Sequence, residues 1–450
     1  MSDNKNAGAY QLVSFEISTF PNSGKTVDIR ALVHVWNLEE SMLKGSIRGT
    51  AKVYDATGVF YNFPLRGQER IRIVYKDFFD EEREEDLFLY AVTDITPAGL
   101  SADNVLEYTL HFTSFGKLWS DRYEVKRCIA EGTLGDRRYI PINEQVQVIF
   151  DDYYSTDGNG TQKEIQIHET DGEQSIVIPG YKAEEAMHLM SRRAYSATYQ
   201  SNLYRFFENR DKYCFINIEQ WIEDYPRDEE SQPTYNYARS KIDQSPEAEV
   251  NKMSSIISMA YGTFTNTMDK INLGGYYRKV SEIDLQNRVV NNYTYNHLEE
   301  FKDFIWPDMT SELQLRHTDD MITQHMNKEY TTYVIKDYPS DGQSGASALR
   351  PDPHYGEIQT TKLATMAEYG ESRITATIFG NNKIVAGSMI FLDLPMFKPA
   401  AQVDAKISER YIVESIQNEF IEDTYYQQLV LIKGPMLMEL NTNGNGGNQQ

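Results

Sequence analysis

The feature that most constrains this chain is a two-residue hydrophobic period. In Ser46-Ile47-Arg48-Gly49-Thr50-Ala51-Lys52-Val53 the apolar and small residues fall at every second position. The alternation returns in Leu106-Glu107-Tyr108-Thr109-Leu110-His111-Phe112-Thr113. Successive side chains of a strand point to opposite faces, so each segment reads as a strand with one buried face. Residues 10–115 are therefore expected to be antiparallel β structure, with denser runs at 70–75 and 87–95. Between those runs, residues 77–86 hold seven carboxylates and one arginine. Seven like charges do not fit a core, which leaves a solvated hairpin loop or a docking surface.

The middle of the chain changes period. After Pro179-Gly180, the residues Ala183, Ala186, Met187, Met190 and Ala194 share one helical face. Tyr204–Glu208 and Tyr213–Ile218 then flank Asn209-Arg210-Asp211-Lys212, the pattern of a β-hairpin with a short polar turn. Pro226–Pro246 reads as a linker, polar and broken by prolines that include Pro233. Strand-like pieces return between Met253 and Tyr277, around Gly262 and the Gly274-Gly275 pair. A helix is expected at 298–305, ahead of Pro307, and an exposed Gly/Ser/Pro/Asp-rich loop at 340–353. The last hundred residues are β again, with strands at 373–378, 389–394, 411–416 and 427–432. The Asn/Gly/Gln ending, 441–450, has nothing to bury and reads as a mobile tail. Two β regions of similar strand density thus surround a mixed α/β middle.

Composition removes function classes. With 44 Lys+Arg against 67 Asp+Glu the 450-residue chain carries a net charge of −23. No surplus of cations is left to displace counterions from nucleic acid or to adhere to an anionic membrane. The length suits roughly two to four domains. No apolar run is long enough to span a bilayer and Met1–Tyr10 is polar, so neither a membrane span nor a signal peptide is expected. Tyrosine is abundant, 31 against 20 Phe and 4 Trp, which suits either partly wet interfaces or half-buried strand positions.

Cys128 and Cys214 are the only cysteines and build no disulfide framework or CxxC site, which points to a reducing assembly compartment. The eight histidines are scattered, and His317 and His325 enclose no HExxH motif. Asp157-Gly158-Asn159-Gly160-Thr161 faintly resembles a calcium loop. It has Gln162 where the loop needs glycine and His168 where it needs glutamate, so it reads as a turn. No phosphate-cradling glycine motif and no GxSxG elbow occurs; Gly342-Gln343-Ser344-Gly345 is a near miss inside a loop. Among so many carboxylates some pair always resembles an acid/base dyad, so none is singled out. No catalytic residue, cofactor or metal is assigned.

A resemblance enters in the C-terminal strands. Gly380-Asn381-Asn382 through Gly387-Ser388 to Leu394-Pro395 resembles the baseplate central hub proteins of contractile-tailed, T-even-like bacteriophages. There a Gly-Asn turn leads through a Gly-acid pair into a strand ending at Leu-Pro. Ser408-Glu409-Arg410-Tyr411-Ile412-Val413 through Asn418-Glu419-Phe420 looks like the same family's next strand, and Tyr425–Leu431 like the one after. Pro179–Ala186 resembles the family's helix start, and Leu203–Phe215 its aromatic hairpin. Ser46–Asp55 with Pro64–Glu69 is similar to its first barrel, where a strand reaches a Gly-x-Glu corner. The sequence departs from the pattern at Glu409 (glycine expected), Asn418 (histidine expected) and Ser388 (acid expected).

The resemblance implies a mainly β, α+β chain: two tail-tube-like antiparallel β-barrels with an inserted mixed α/β region. The implied division is a first barrel at 1–118, a mixed domain at 119–235, the start of the second barrel with an insertion at 236–355, and its remainder at 356–438, before the tail at 439–450. It implies a structural role in the virion's tail baseplate, assembled in the bacterial host cytoplasm. The chain would form a homotrimeric ring joining the hexameric tail tube to the trimeric central spike. Its partners would be itself, the spike, the tail tube protein and other baseplate or wedge proteins, with DNA as passing cargo and no membrane insertion. The alternatives are the hub of a related contractile injection system and a tail-associated cell-envelope hydrolase. Candidate interface residues are Tyr54, Phe60, Arg66 and Glu69 near the first barrel corner, and Tyr411 and Tyr425 in the last barrel, with strand packing as the alternative at each.

Overall fold

The computed structural model describes residues 6–19, 25–63, 65–97, 105–129, 140–155, 162–174, 176–226, 231–237, 246–262, 277–284, 288–296, 333–336, 356, 358, 373–394 and 410–433. The calcium-like turn at 157–161, Gly274-Gly275, the helix expected at 298–305, the loop at 340–353, Glu409 and the tail lie outside them.

The first β region comprises β1 (Gln11–Ser18), β2 (Thr26–Asp28), β3 (Val33–Ser41), β4 (Arg48–Asp55), the single turn α1 (Val59–Asn62), β5 (Arg70–Lys76), β6 (Glu82–Pro97) and β7 (Leu106–Ser114). Its strands pair in the order β2-β1-β5-β6-β7-β4-β3. The positions marked by the alternation point inward: Ala51, Val53, Tyr108, Leu110 and Phe112 are buried with Phe15, Trp36 and Ile73. Each large side chain so buried contributes about 1.5–3 kcal/mol, which is what makes the two-residue period decisive.

The middle holds α2 (Phe115–Arg122), β8 (Glu124–Cys128), β9 (Ile140–Pro141), α3 (Ile142–Tyr153), β10 (Ile165–Ile167), β11 (Glu173–Gln174), β12 (Val177–Lys182), α4 (Ala183–Arg193), β13 (Tyr204–Glu208), β14 (Tyr213–Asn217) and α5 (Ile218–Asp224). The face predicted from helical spacing is the one α4 buries: Ala183, Ala186, Met187 and Met190 are inaccessible, with Ala194 just past its end. The Lys182 amide donates to Glu185 Oε2 at 3.1 Å, and Glu184/Glu185 and Arg192/Arg193 sit at the ends their charges favour. The hairpin β13–β14 packs against α4, its Tyr204, Phe206, Tyr213 and Phe215 filling the middle core.

The remainder comprises β15 (Thr234–Asn236), α6 (Pro246–Met253), β16 (Ile256–Tyr261), β17 (Tyr277–Asp284), β18 (Val289–Asn296), β19 (Tyr333–Lys336), β20 (Ile374–Phe379), β21 (Met389–Asp393), β22 (Arg410–Ile421) and β23 (Thr424–Ile432). The linker expected at 226–246 is in part a strand. Within it β15 pairs in parallel with β21 and buries Tyr235 to 2% exposure, because that tyrosine completes the second core.

One 13-stranded sheet contains both β regions. Along one edge of β22, Arg410–Ile412 pair with β21 and Ser415–Ile421 pair with β3, while its other edge pairs with β23. The order β1-β5-β6-β7-β4-β3-β22-β23 returns to its start, because Ala9 bridges Thr424. The order β16-β20-β23-β22-β21-β15 returns likewise, through a bridge from Asn236 to Ser255. Two circuits of strands thus share one hairpin, β22–β23. Phe420 and Tyr425 from that hairpin complete the first core, and Tyr411, Leu429 and Leu431 the second. No helix among the described residues is long and apolar enough to cross a membrane.

A buried polar junction as the candidate functional site

The acidic stretch resolves once its pleat is followed. Asp77 and its neighbours make the β5–β6 turn, where its carboxylate accepts from the Phe79 and Glu81 amides at 2.9 and 3.0 Å. From Glu82 onward the chain is strand, so alternate side chains separate. Asp86, Glu84 and Glu82 face outward onto a basic ladder, paired with Arg70, Arg72 and Lys76. Arg83 and Glu85 fall on the opposite face, and Glu85 is buried. The stretch is therefore neither a solvated loop throughout nor free of the core. Burial raises the Glu85 pKa against the pull of Arg210, Lys163 and Arg83.

The inward groups meet the far end of the chain. The Asn382 amide donates to Asp77 Oδ2 at 3.0 Å, and its side-chain Nδ2 to the Glu81 carbonyl at 2.7 Å. Arg83 donates to the Asn382 carbonyl at 2.8 Å and to Asp211 at 2.7 Å. Behind them lies Arg210, in the turn of the β13–β14 hairpin, with 0% side-chain exposure. Its Nε donates to Glu40 Oε1 at 2.8 Å, its Nη1 to the Tyr75 and Tyr425 hydroxyls at 3.0 and 3.3 Å, and its Nη2 to the Ile384 carbonyl. Glu40, equally buried, also accepts from the Arg210 and Ala386 amides. Asn418, standing where a histidine was expected, accepts from Tyr425 Oη at 2.7 Å and Gln427 Nε2 at 2.9 Å, and donates to the Leu38 carbonyl at 3.3 Å. One guanidinium thus ties the middle hairpin to both strand circuits.

Two further links flank it. Lys163 donates to Glu208 Oε1 and the Asn209 carbonyl, both at 2.9 Å, while Glu208 Oε2 accepts from the Ile47 amide at 3.3 Å. Glu184, on the first turn of α4, accepts from Lys117 Nζ at 2.6 Å and from the Gly45 amide at 3.0 Å. Burial works against its charge, but His188, Lys117 and that amide outweigh it and hold its pKa down to about 2.

The residues singled out in the sequence divide between surface and interior. Tyr54 is half-buried, its ring 4.9 Å edge-on from His34. Phe60, in α1, leans on Tyr108 at 5.5 Å beside Tyr61, which is 78% exposed. Arg66 is exposed. Glu69 is buried, and its carboxylate accepts from the Arg66, Gly67 and Gln68 amides at 2.7–3.0 Å, so it builds the corner from within. Tyr411 lies in the second core and Tyr425 in the junction itself, stacked on Phe420 at 4.2 Å. The structure brings Tyr425 together with none of the other five; its partners Arg210, Asn418 and Gln427 carried no local signal beyond the Asn418 departure. Ser388, where an acid was expected, accepts from the Val385 amide at 3.0 Å and closes the 385–388 turn.

Among the described residues no group of three His, Cys, Asp or Glu is arranged to hold a metal. Cys214 is buried, its thiol pushed up to about 12 by burial. An open pocket of about 380 Å³ lies beside β8 and α3, lined by Arg127, Cys128, Ile140, Glu144 and Gln147. The junction's chemistry is that of a fastening, in which the buried Arg210 and Glu40 pair out of water.

No family model matches the sequence, and no curated protein matches it in sequence. Solved structures do match in fold over nearly the whole chain. A tail protein from Neisseria meningitidis MC58 aligns over 95% of this chain and 98% of its own, with a TM-score of 0.53 at 10% identity. The 43 kDa tail protein of prophage MuSo2 from Shewanella oneidensis aligns over 94% and 99%, with a TM-score of 0.50 at 6% identity. This chain has the fold of those tail proteins.

Proposed function

We propose that this chain is a structural component of a phage tail, the hub of its baseplate, and not an enzyme. The observation that carries the reading is the end-to-end likeness to tail proteins, in which almost none of either chain is left over. The shared hairpin supports it, because two circuits fixed rigidly to one another suit a subunit that repeats a similar wall twice around a ring. In this reading the two circuits are the tube-like barrels and the middle segment is the inserted domain. Three copies form a ring between the hexameric tail tube and the trimeric spike, beside other baseplate or wedge proteins, in the virion tail. DNA crosses the ring as cargo, and part of the −23 charge lines the bore and keeps DNA from adhering. Mass photometry of the purified chain, alone and with its spike, should give trimers. A strict monomer in the presence of the spike would sink the reading. Lysis of cell-wall material in a zymogram would replace it with an envelope hydrolase.

A further inference from the structure

His168, the residue that spoils the calcium-loop pattern, is buried in the middle segment. It follows β10, and its amide donates to the Phe215 carbonyl at 2.9 Å, which sets it against β14. There its ring Nδ1 accepts from the Asn217 amide at 3.2 Å, out of water. A ring nitrogen accepts only while it carries no proton, so His168 is neutral, with its proton on Nε2. An amide that loses its acceptor in such a place is costly, so the bond depends on the ring staying uncharged.

Asn217 ends β14 and opens α5. Its Oδ1 accepts from the Glu219 and Gln220 amides at 3.0 and 3.1 Å, so the residue that His168 fixes is the cap of that helix. Farther along α5, Trp221 Nε1 donates to the Gly387 carbonyl at 2.7 Å, and the Gly387 amide donates to the Val413 carbonyl of β22 at 2.9 Å. The indole ring lies 6.1 Å from the His168 ring. Histidine, cap and indole thus form one chain of contacts from the middle segment to the second strand circuit. We propose that His168 is a proton-operated latch. Neutral, it holds Asn217 and, through α5, the Trp221–Gly387 bond; when Nδ1 takes a proton from solvent, two N–H groups face each other and both bonds are released. The Arg210 junction holds the β13–β14 hairpin independently, which confines the opening to α5 and the 385–388 turn.

The charged groups around the ring act in both directions. Burial lowers the pKa of His168 below the ordinary 6.5, the Asp224 carboxylate of α5 raises it, and Lys212 in the β13–β14 turn lowers it. Lys212 also lies 5.7 Å over the Trp221 ring. Glu219, the buried acid of α5, bonds to Ser201, and its own pKa is raised by burial. A histidine held below its ordinary value contributes stability that is complete above pH 6.5 and is lost as pH falls through the lowered value. The latch therefore opens in acid.

Hydrogen exchange of the full-length chain, corrected for the intrinsic effect of pH, tests this at about pH 7.5 and about pH 5, either side of the ordinary histidine value. In acid, protection of residues 213–224 should fall about tenfold, the loss of one backbone hydrogen bond, and that of 385–388 should fall with it, while β4 and β7 hold. His168→Asn sets an acceptor that does not titrate near the Nδ1 position and should keep its neutral-pH protection in acid. His168→Phe lacks the acceptor and should be open at both values. Thermal unfolding shows whether the Phe variant keeps its fold, and the Asn variant decides the matter where it does not. Equal acid loss in wild type and His168→Asn would overturn the latch and assign the effect to Asp224 or Glu219. Loss at 213–224 with 385–388 unchanged would overturn the coupling to the second circuit. Acid loss spread evenly over the chain would overturn the whole inference, because it reports global unfolding. None of these outcomes bears on the hub reading.

Discussion

At the scale of single residues, the junction depends on Arg210. Its partners Glu40, Tyr75 and Tyr425 are 170, 135 and 215 positions away, so nothing in the local Asn-Arg-Asp-Lys pattern distinguishes it from an ordinary polar turn. Replacing it with methionine leaves Glu40 charged and buried without its counterion, which should destabilise the chain by about 3–5 kcal/mol in urea unfolding. A double variant, Arg210→Met with Glu40→Gln, should recover part of that loss. If the single variant unfolds like wild type, the junction is not a fastening. Glu184 gives a second prediction with a definite sign. Its folded pKa, about 2, lies below the ordinary 4.5, so its contribution is complete above pH 4.5 and fades as pH falls toward 2. The expected loss is about 3 kcal/mol across that window, and Glu184→Gln should flatten this part of the stability–pH curve. An unchanged slope in the variant would show that other carboxylates govern acid unfolding.

At the scale of elements, the two-residue period was a sound guide where one face meets a core, as in β4 and β7. It misled where charges were counted along the chain and not across the pleat. The seven carboxylates of residues 77–86 look irreconcilable with a core only if they share a side; the strand sends Glu82, Glu84 and Asp86 one way and Arg83 and Glu85 the other. β15 was illegible for a different reason: three residues among prolines and polar groups show no period, and only pairing with β21 makes them a strand. The Gly-Asn turn after β20 was legible as a motif without its cause. Gly380 lies against the Tyr425 ring, which leaves no space for a Cβ, and its amide donates to the Tyr425 carbonyl at 2.8 Å. Gly380→Ala must displace a ring that is stacked on Phe420 and bonded to Arg210, so it should cost about 1–3 kcal/mol. A melting temperature equal to wild type would mean that the ring moves freely.

At the scale of the whole molecule, the sequence shows two β regions but not that they share strands. Alternation reports that a strand has a buried face; it does not report which strand lies beside it. Residues 1–118 therefore read as a first barrel, and the strands beside it come from elsewhere: β3 pairs with β22, and the first core includes Phe420 and Tyr425. Trp36 stacks on Phe420 at 3.7 Å, and Tyr75 meets it edge-on at 5.0 Å. Losing a buried aromatic costs about 3–5 kcal/mol. Losing two, together with the ladder to β3, consumes the whole of a typical stability of about 5–15 kcal/mol. A fragment of residues 1–118 should accordingly show no cooperative thermal transition and should be cleaved rapidly by protease. The same fragment joined through a flexible linker to residues 410–433 should regain protection in its core strands, because β22 and β23 then cover the edge of β3 and meet Ala9. If residues 1–118 instead fold cooperatively alone, the hairpin only decorates the first circuit, and the rigid coupling of the two circuits on which a ring subunit depends would have to come from the Arg210 junction.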